Sequence, residues 1–268
     1  KPGKKGFRRN VLFAFFLGLL ASPLPYLSLL IDSSSALFFR DLSNVQIPLK
    51  AEWIRAVTEL GRPPFWNPYQ LGGVPFLADP SVGPIYPLNL ALLPFAPENA
   101  PRAILAFIIL HHALLFAGGF LLSGEFRVRP SLRILAGLLF SWSGFAMSSD
   151  NLLHILGAQT AIPFLLLFWR RAARCKKSGP FLALSSLAMA WPIYSGDPQF
   201  SLLGAFAALI FCPPISKKTI LRFTAVLFLA GLASGPQLLP FLHHLNASDP
   251  RDRKSTRLNS SHVKRSRM

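Results

Sequence analysis

A carboxylate and a guanidinium lie side by side shortly after the first long apolar stretch of the chain. Asp41 follows the end of that stretch by about ten residues, and Arg40 directly precedes it. A carboxylate near a hydrocarbon boundary tends to bind a proton and can act as a general base, while an arginine can pair with a phosphate. The alternative is a plain surface ion pair between the two. Position alone supports both interpretations.

Other acidic residues occur where turns are expected. Asp32 ends the first apolar stretch, where a polar stop or a helix cap is usual, and Asp79 precedes a proline as turn residues do. Asp197 lies with Gln199 between two short apolar segments. A carboxylate at a membrane boundary is a candidate functional group, although an Asp-Pro turn is the commoner case.

The histidines give little support for a metal site. Asp150 near His154 is weak evidence for a ligand pair. His111 and His112 are adjacent, so they point to different faces of a helix and lack the i, i+4 spacing of paired ligands. The sequence contains no HExxH, glycine-rich phosphate loop, serine nucleophile elbow or cysteine cluster, which excludes zincins, P-loop ATPases and serine hydrolases. We therefore assign no metal-binding residue.

The composition indicates an integral membrane protein. The 268 residues are 51% apolar and only 15% charged, with 24 Phe and a mean hydropathy of +0.41. The net charge of +17 comes from basic clusters at the ends of apolar segments, which favours topology signals over nucleic-acid binding. Cys175 and Cys212 both adjoin basic segments, so no disulfide is predicted.

The two ends of the sequence are unlike the rest. Residues 249–268 are predicted to form a disordered, non-native tail, because 251–268 has no apolar periodicity and resembles a translated sequencing adapter. Without 251–268 the chain has 21 basic and 10 acidic residues. Since the first residue is Lys1, we expect a fragment of a longer protein at both ends.

The apolar pattern predicts an all-α membrane domain over residues 11–248 with about seven spans. Two segments have the roughly 20 apolar residues that a crossing needs, and five more are candidates. The fifth and sixth spans in order are short for a full crossing, so they could be tilted in a thinned bilayer or form a re-entrant hairpin. The predicted spans are 11–31, 103–123, 132–147, 152–169, 180–194, 200–212 and 220–242.

Alternate loops differ sharply in Lys and Arg. Residues 1–10 and 170–177 carry five each, and 127–133 and 217–222 carry three each, whereas the loops at 148–152 and 195–199 carry none. This asymmetry predicts a cytoplasmic N-terminus at 1–10 and an outside location for the large loop at 32–102.

The long loop (residues 32–102) is expected to be ordered. Pro48 and Gly61 suit the two ends of an amphipathic helix over 48–60 that lies in the headgroup layer, with Lys50, Glu52, Arg55 and Glu59 on the face opposite its apolar residues. Ten prolines between 63 and 101 predict turns and short helices. The aromatic residues of this part favour an aromatic belt over direct substrate contact.

The order of short motifs resembles a known family. Phe-Arg-Asp at 39–41, Gly-Arg-Pro-Pro-Phe-Trp-Asn-Pro-Tyr at 61–69, Gly-Gly-Val-Pro-Phe at 72–76 and Tyr-Pro-Leu-Asn at 86–89 are similar to the first outer loop of the YfhO-like bacterial membrane proteins. Shorter likenesses at 143–145, 196–199 and 235–240 extend the resemblance over nearly all of residues 10–248.

This resemblance implies a C-type glycosyltransferase of the bacterial inner membrane. Such enzymes move a sugar from a polyprenyl-phosphate donor to a cell-envelope polymer or lipid acceptor on the outer face. The family's catalytic aspartate corresponds to Asp41. Some of these enzymes use a divalent cation, which Asp32, Asp41 and Asp79 could share. The substrate-binding residues that the resemblance implies are Arg40, Trp66, Asn67, Tyr69, Asp197 and Gln199.

Two other functions remain open. A transporter of lipids or lipid-linked sugars would be expected to show inverted repeats and broken helices in matching halves, and the sequence shows no clear repeat. A non-catalytic protein of envelope assembly would tolerate Asp41→Asn. Membrane lipids are expected partners in every case, and nucleic acids in none.

Overall fold

The computed structural model describes residues 4–32, 35–70, 72–211 and 216–247, which form α-helices joined by turns. Within these ranges there is no β-strand, only an antiparallel bridge between Asn67 and Val74. The predicted tail at 249–268 and Cys212 lie outside the described residues. The helices are α1 (Lys4–Ala21), α2 (Leu27–Ile31), α3 (Ile47–Thr58), α4 (Ala100–Gly124), α5 (Pro130–Ser141), α6 (Gly144–Ser148), α7 (Leu153–Arg174), α8 (Gly179–Ser195), α9 (Gln199–Ile210) and α10 (Lys217–Ala247).

Several helices have the length and composition of membrane spans. In the described part of the chain four stretches qualify, namely Arg9–Ile31, Pro97–Gly124, Leu153–Arg174 and Lys217–Leu245. The predicted all-helical fold with several membrane-length apolar helices is confirmed. The other predicted spans correspond to shorter helices, since α8 has 17 residues and α9 has 12.

Helix α4 is the centre of the bundle. Within its apolar stretch 78% is buried, against 22% for the first and last membrane-length stretches. It packs against α1, α5 and α7. A Cβ atom at Gly118 would overlap the ring of Pro163, and one at Gly119 would overlap the ring of Phe140, so glycine allows these neighbours to approach closely. This packing fixes the positions of the polar residues on α4.

Two of the predicted spans are broken. The first stops at Ala21, turns at Ser22 and Pro23, and resumes through a 3-10 turn into α2. The segment 132–147, predicted as one span, is divided between α5 and α6. The hydroxyl of Ser143 accepts a hydrogen bond of 3.2 Å from the N–H of Ala146 and so caps the start of α6. Polar side chains thus satisfy backbone groups at a helix break.

Within its described residues the long loop contains helix α3 and several short turns. Helix α3 occupies most of the expected 48–60 region, and Gly61 follows its end with a φ of +56°. The 3-10 turns of the loop are Phe76–Ala78, Pro80–Val82, Pro87–Leu92 and Pro97–Asn99. Three of them begin with proline, which supplies the φ that a helical turn requires.

Two residues of the polar face of α3 are buried in the structure. Lys50 is 4% exposed and Glu52 is 7% exposed. Helix α3 packs against α4, and the segment around Val82 covers Lys50. The spacing of charged and apolar residues located α3 correctly. It could not show that the segment around Val82 covers the polar face of α3.

Candidate functional site

Within the long loop, buried side chains of α3 form hydrogen bonds with the segment 82–89. The ammonium group of Lys50 donates to the carbonyl of Val82 at 3.1 Å and to Oδ1 of Asn89 at 2.8 Å. Nε1 of Trp53 donates to the carbonyl of Pro84 at 2.7 Å. Burial lowers the pKa of Lys50 to about 7. None of the ion pairs within the described residues includes Lys50.

The same loop is docked on the turn between α8 and α9. Gly196 in that turn has a φ of +112°, and a Cβ atom there would overlap the carbonyl oxygen of Pro80. From α10, Nε2 of Gln237 donates to the carbonyl of Leu77 at 3.1 Å. The hydroxyl of Tyr86 lies 2.9 Å from Nε2 of His111 on α4. The loop is therefore held against α4, α10 and the turn between α8 and α9.

Three carboxylates that are far apart in sequence lie within electrostatic range of His154. Asp41, Asp79 and Asp197 each act electrostatically on His154, as does the ammonium group of Lys50. Nδ1 of His154 is buried and has no hydrogen-bond partner among the described residues. We call Asp41, Asp79, Asp197 and His154 the carboxylate cluster.

The three carboxylates differ in what holds them. Oδ1 of Asp79 accepts from the backbone N–H of Ser81 at 2.9 Å and from its hydroxyl at 2.6 Å. Oδ1 of Asp197 accepts from the N–H of Gln199 at 3.1 Å. Asp41 forms an ion pair with Arg40, with 3.6 Å between Nε and Oδ1. The Arg40 side chain is 83% exposed, so this pair restrains Asp41 weakly.

The possible metal site of three aspartates is not formed. In the described ranges no three His, Cys, Asp or Glu side chains are placed to hold a metal ion, so Asp32, Asp41 and Asp79 do not share one as a ligand set. Asp32 instead accepts a hydrogen bond from the hydroxyl of Ser35.

A cavity of about 440 Å³ opens between α3 and the segment 67–70. It contains two of the residues implied by the resemblance, Asn67 and Tyr69, whereas Trp66 packs on Gly73 and does not line the cavity. The guanidinium of Arg55 lies 5.0 Å from the centre of the Tyr69 ring. We call this space the loop cavity. Its lining residues are Asn44, Val45, Pro48, Leu49, Ala51, Glu52, Arg55, Asn67, Tyr69, Gln70 and Pro97.

A second polar group, which sequence reasoning missed, lies among the helices. Nε2 of His112 is 2.8 Å from Oδ1 of Asp150, and the Tyr26 hydroxyl donates to Oδ2 of Asp150 at 2.5 Å. Nδ1 of His112 lies 2.6 Å from the carbonyl of Ser141, at the end of α5. We call Tyr26, His112 and Asp150 the Asp150 network. Sequence reasoning considered Asp150 beside His154, but its histidine partner is His112.

The helix breaks explain this pairing. Tyr26 follows the break at Pro23, and Ser141 and Asp150 lie on either side of α6, so the network joins two broken segments to α4. A proline within an apolar stretch and the Ser-Gly pair at 143–144 are the sequence features that could have indicated it.

Comparison of the chain with family models, curated proteins and solved structures finds no match. The features of the structure that bear on function are the carboxylate cluster, the loop cavity and the Asp150 network.

Proposed function

We propose that the chain belongs to a membrane glycosyltransferase that moves a sugar from a polyprenyl-phosphate donor to a cell-envelope acceptor. The carboxylate cluster carries this proposal. It combines an exposed aspartate soon after the first membrane-length stretch with two further carboxylates, all within electrostatic range of a histidine that has an unsatisfied nitrogen. Clusters of titratable groups with unusual surroundings are typical of active sites.

Asp41 is the best general base of the three aspartates. Asp79 and Asp197 accept hydrogen bonds from backbone N–H groups, which occupy one oxygen of each carboxylate. Asp41, whose side chain is 38% exposed, has the exposed Arg40 as its ion-pair partner. It can therefore approach a substrate hydroxyl and accept its proton.

The proposed reaction is a single displacement. The acceptor hydroxyl oxygen attacks the anomeric carbon of the donor sugar, and its proton passes to Asp41. The bond between that carbon and the phosphate oxygen breaks, and the polyprenyl phosphate leaves with the electron pair. Arg40, whose guanidinium is exposed, is placed to pair with the departing phosphate. Gln199, exposed beside Asp197, is assigned to substrate contact.

The proposed topology is a seven-span protein of the bacterial inner membrane. The four membrane-length stretches would be joined by α5 with α6, by α8 and by α9. The distribution of Lys and Arg then supports a cytoplasmic N-terminus and an outside long loop. A reporter fused after Gly83 that is active only in the cytoplasm would contradict this orientation.

Substitution of Asp41 tests the enzyme function. In the full-length protein, Asp41→Asn should abolish sugar transfer to the envelope acceptor at normal protein abundance, because the amide cannot accept the proton. Glu98→Gln is the matched control, since Glu98 is an exposed carboxylate of the same loop outside the cluster. Unchanged transfer by Asp41→Asn would overturn the proposal and favour a non-catalytic protein.

The helix breaks favour a second candidate, a transporter of lipid-linked sugars. Broken helices that surround buried ionisable residues, as in the Asp150 network, are a feature of transporters. A transporter predicts that the donor lipid accumulates on the inner leaflet when the protein is absent. A glycosyltransferase predicts an unchanged leaflet distribution and a missing product.

A further inference from the structure

The loop cavity has polar walls that are built into the fold. Glu52 is 7% exposed and Asn67 is 5% exposed, so both are held in place by their surroundings. Asn67 exchanges two backbone hydrogen bonds with Val74, and its Oδ1 accepts from the N–H of Tyr69 at 2.9 Å. This fixes the amide and leaves its NH₂ group as the donor for a ligand. A volume of about 440 Å³ lies within the usual range for small-molecule sites.

The charges beside the cavity are balanced. Glu52 lies 3.3 Å from Arg62 and 3.9 Å from Arg55, and Arg55 also lies 3.7 Å from Glu59. Two guanidinium groups thus face two carboxylates. An anionic ligand would have to compete with Glu52 for the arginines, whereas a neutral ligand with hydroxyl groups could hydrogen-bond to both kinds of charged group.

Tyr69 gives the cavity an aromatic surface. Its side chain is 65% exposed, while Arg55 lies over its ring at 5.0 Å and restrains it. The face of an aromatic ring carries negative charge density and attracts weakly positive C–H groups. The apolar face of a sugar ring presents such groups, and its hydroxyls can reach the nearby amides of Asn67 and Gln70.

We propose that the loop cavity binds a neutral sugar unit. Asn44 in the cavity wall is three residues from Asp41, which is about one helical turn. If the proposed function holds, the bound unit is part of the acceptor whose hydroxyl approaches Asp41. Only this assignment to the acceptor depends on the proposed function. The site is thus a binding site for acceptor carbohydrate and not for the phosphate of the donor.

Direct binding tests the ligand class. The full chain in lipid nanodiscs is titrated with an array of neutral oligosaccharides of glucose, galactose, mannose and N-acetylglucosamine, with matched oligosaccharides ending in glucuronic acid, and with inorganic phosphate. At least one neutral member should bind at least tenfold more tightly than its acidic counterpart, and phosphate should not compete. If no neutral member binds, or if phosphate displaces it, the proposal is overturned.

Variants connect the binding to the cavity. Tyr69→Ala should weaken binding of the neutral sugar by about tenfold, and Tyr69→Phe should retain most of it because the ring remains. Phe65→Ala is the matched control, since Phe65 is an exposed aromatic residue of the same loop outside the cavity. Equal losses in Tyr69→Ala and Phe65→Ala would contradict a site at Tyr69.

Glu52→Gln changes the charge balance without a large change in shape. The arginines then face one carboxylate fewer, so the preference should shift by about tenfold or more toward the glucuronic acid members. An unchanged preference would contradict the charge argument.

Transfer activity separates this proposal from the enzyme function. Sugar binding without transfer contradicts only the enzyme, and transfer without binding contradicts only the cavity.

Discussion

The loop cavity and the Asp150 network are both polar, but they are built in opposite ways. In the network one carboxylate is shared by a tyrosine and a histidine, and the His112 side chain is fully buried. In the loop cavity two carboxylates are paired with two guanidinium groups, and the Arg55 side chain is 40% exposed. Water can therefore reach the charged groups of the cavity, whereas the polar groups of the network must find their hydrogen-bond partners within the network.

This difference separates a structural role from a binding role. Removing one partner of a buried hydrogen bond is costly, because the other group is left without water or its partner. An exposed ion pair contributes little to stability, so its removal costs little. We expect the network to determine how the broken helices pack around α4, and the loop cavity to tolerate changes that alter its ligand preference.

Removal of Asp150 should have the largest effect on stability. Asp150→Ala removes the acceptor that His112 and Tyr26 share and leaves Nε2 of His112 and the hydroxyl of Tyr26 only each other, 3.0 Å apart, and the expected loss is about 2–3 kcal/mol. Unfolding of the full chain in nanodiscs, followed by thermal or denaturant titration, measures it.

Two companion variants show whether the contact between His112 and Asp150 causes that loss. Tyr26→Phe removes the hydroxyl that donates to Asp150 and should cost about 1 kcal/mol. The double variant Asp150→Ala with His112→Ala should be more stable than the sum of the single losses predicts, because the two residues interact directly. A loss in Asp150→Ala no larger than in Tyr26→Phe would contradict the comparison.

The sequence predicted much of the helical framework. Apolar stretches of membrane length and the proline-rich loop are local features, and both were located from composition and spacing. The division of 132–147 into α5 and α6 was missed because hydropathy averages over Ser141 and Ser143, whose polarity is small. The burial of Lys50 was missed because it depends on a segment more than thirty residues away.

The candidate sites were predicted unevenly for the same reason. Asp41, Asn67 and Tyr69 were selected from motif order, and the structure places the last two in one cavity. The pairing of His112 with Asp150 joins residues 38 positions apart on different helices. Adjacent histidines gave no reason to separate the roles of His111 and His112, since only the three-dimensional packing assigns each a different partner.

Lys50 sharpens the comparison because it is buried within the loop and forms no ion pair among the described residues. Its pKa falls from 10.5 in the unfolded chain to about 7 in the folded one. Between those values the unfolded state binds more protons, so stability should rise with pH, by up to ~1.4 kcal/mol per pH unit. Below pH 7 both states are protonated and the penalty is fully present.

Measurements between pH 7 and 9 isolate this effect, because the pKa of Tyr86 is raised by burial and its ionisation lies at higher pH. Lys50→Met should remove the slope, and Lys177→Met, at an exposed lysine, should retain it. If the wild-type chain and Lys50→Met showed the same slope, Lys50 would not be the buried titrating group.

The smallest effect is expected at Arg55. Arg55→Met removes its ion pairs with Glu52 and Glu59, but the pairs are long at 3.9 and 3.7 Å, and Arg62 still faces Glu52. The expected loss of stability is about 0.2–1 kcal/mol. Arg55→Lys keeps the charge but loses the planar group over Tyr69, so it separates stacking from charge in the same unfolding assay. A loss in Arg55→Met as large as that in Asp150→Ala would mean that the cavity, like the network, is part of the structural core and is not free to adapt to a ligand.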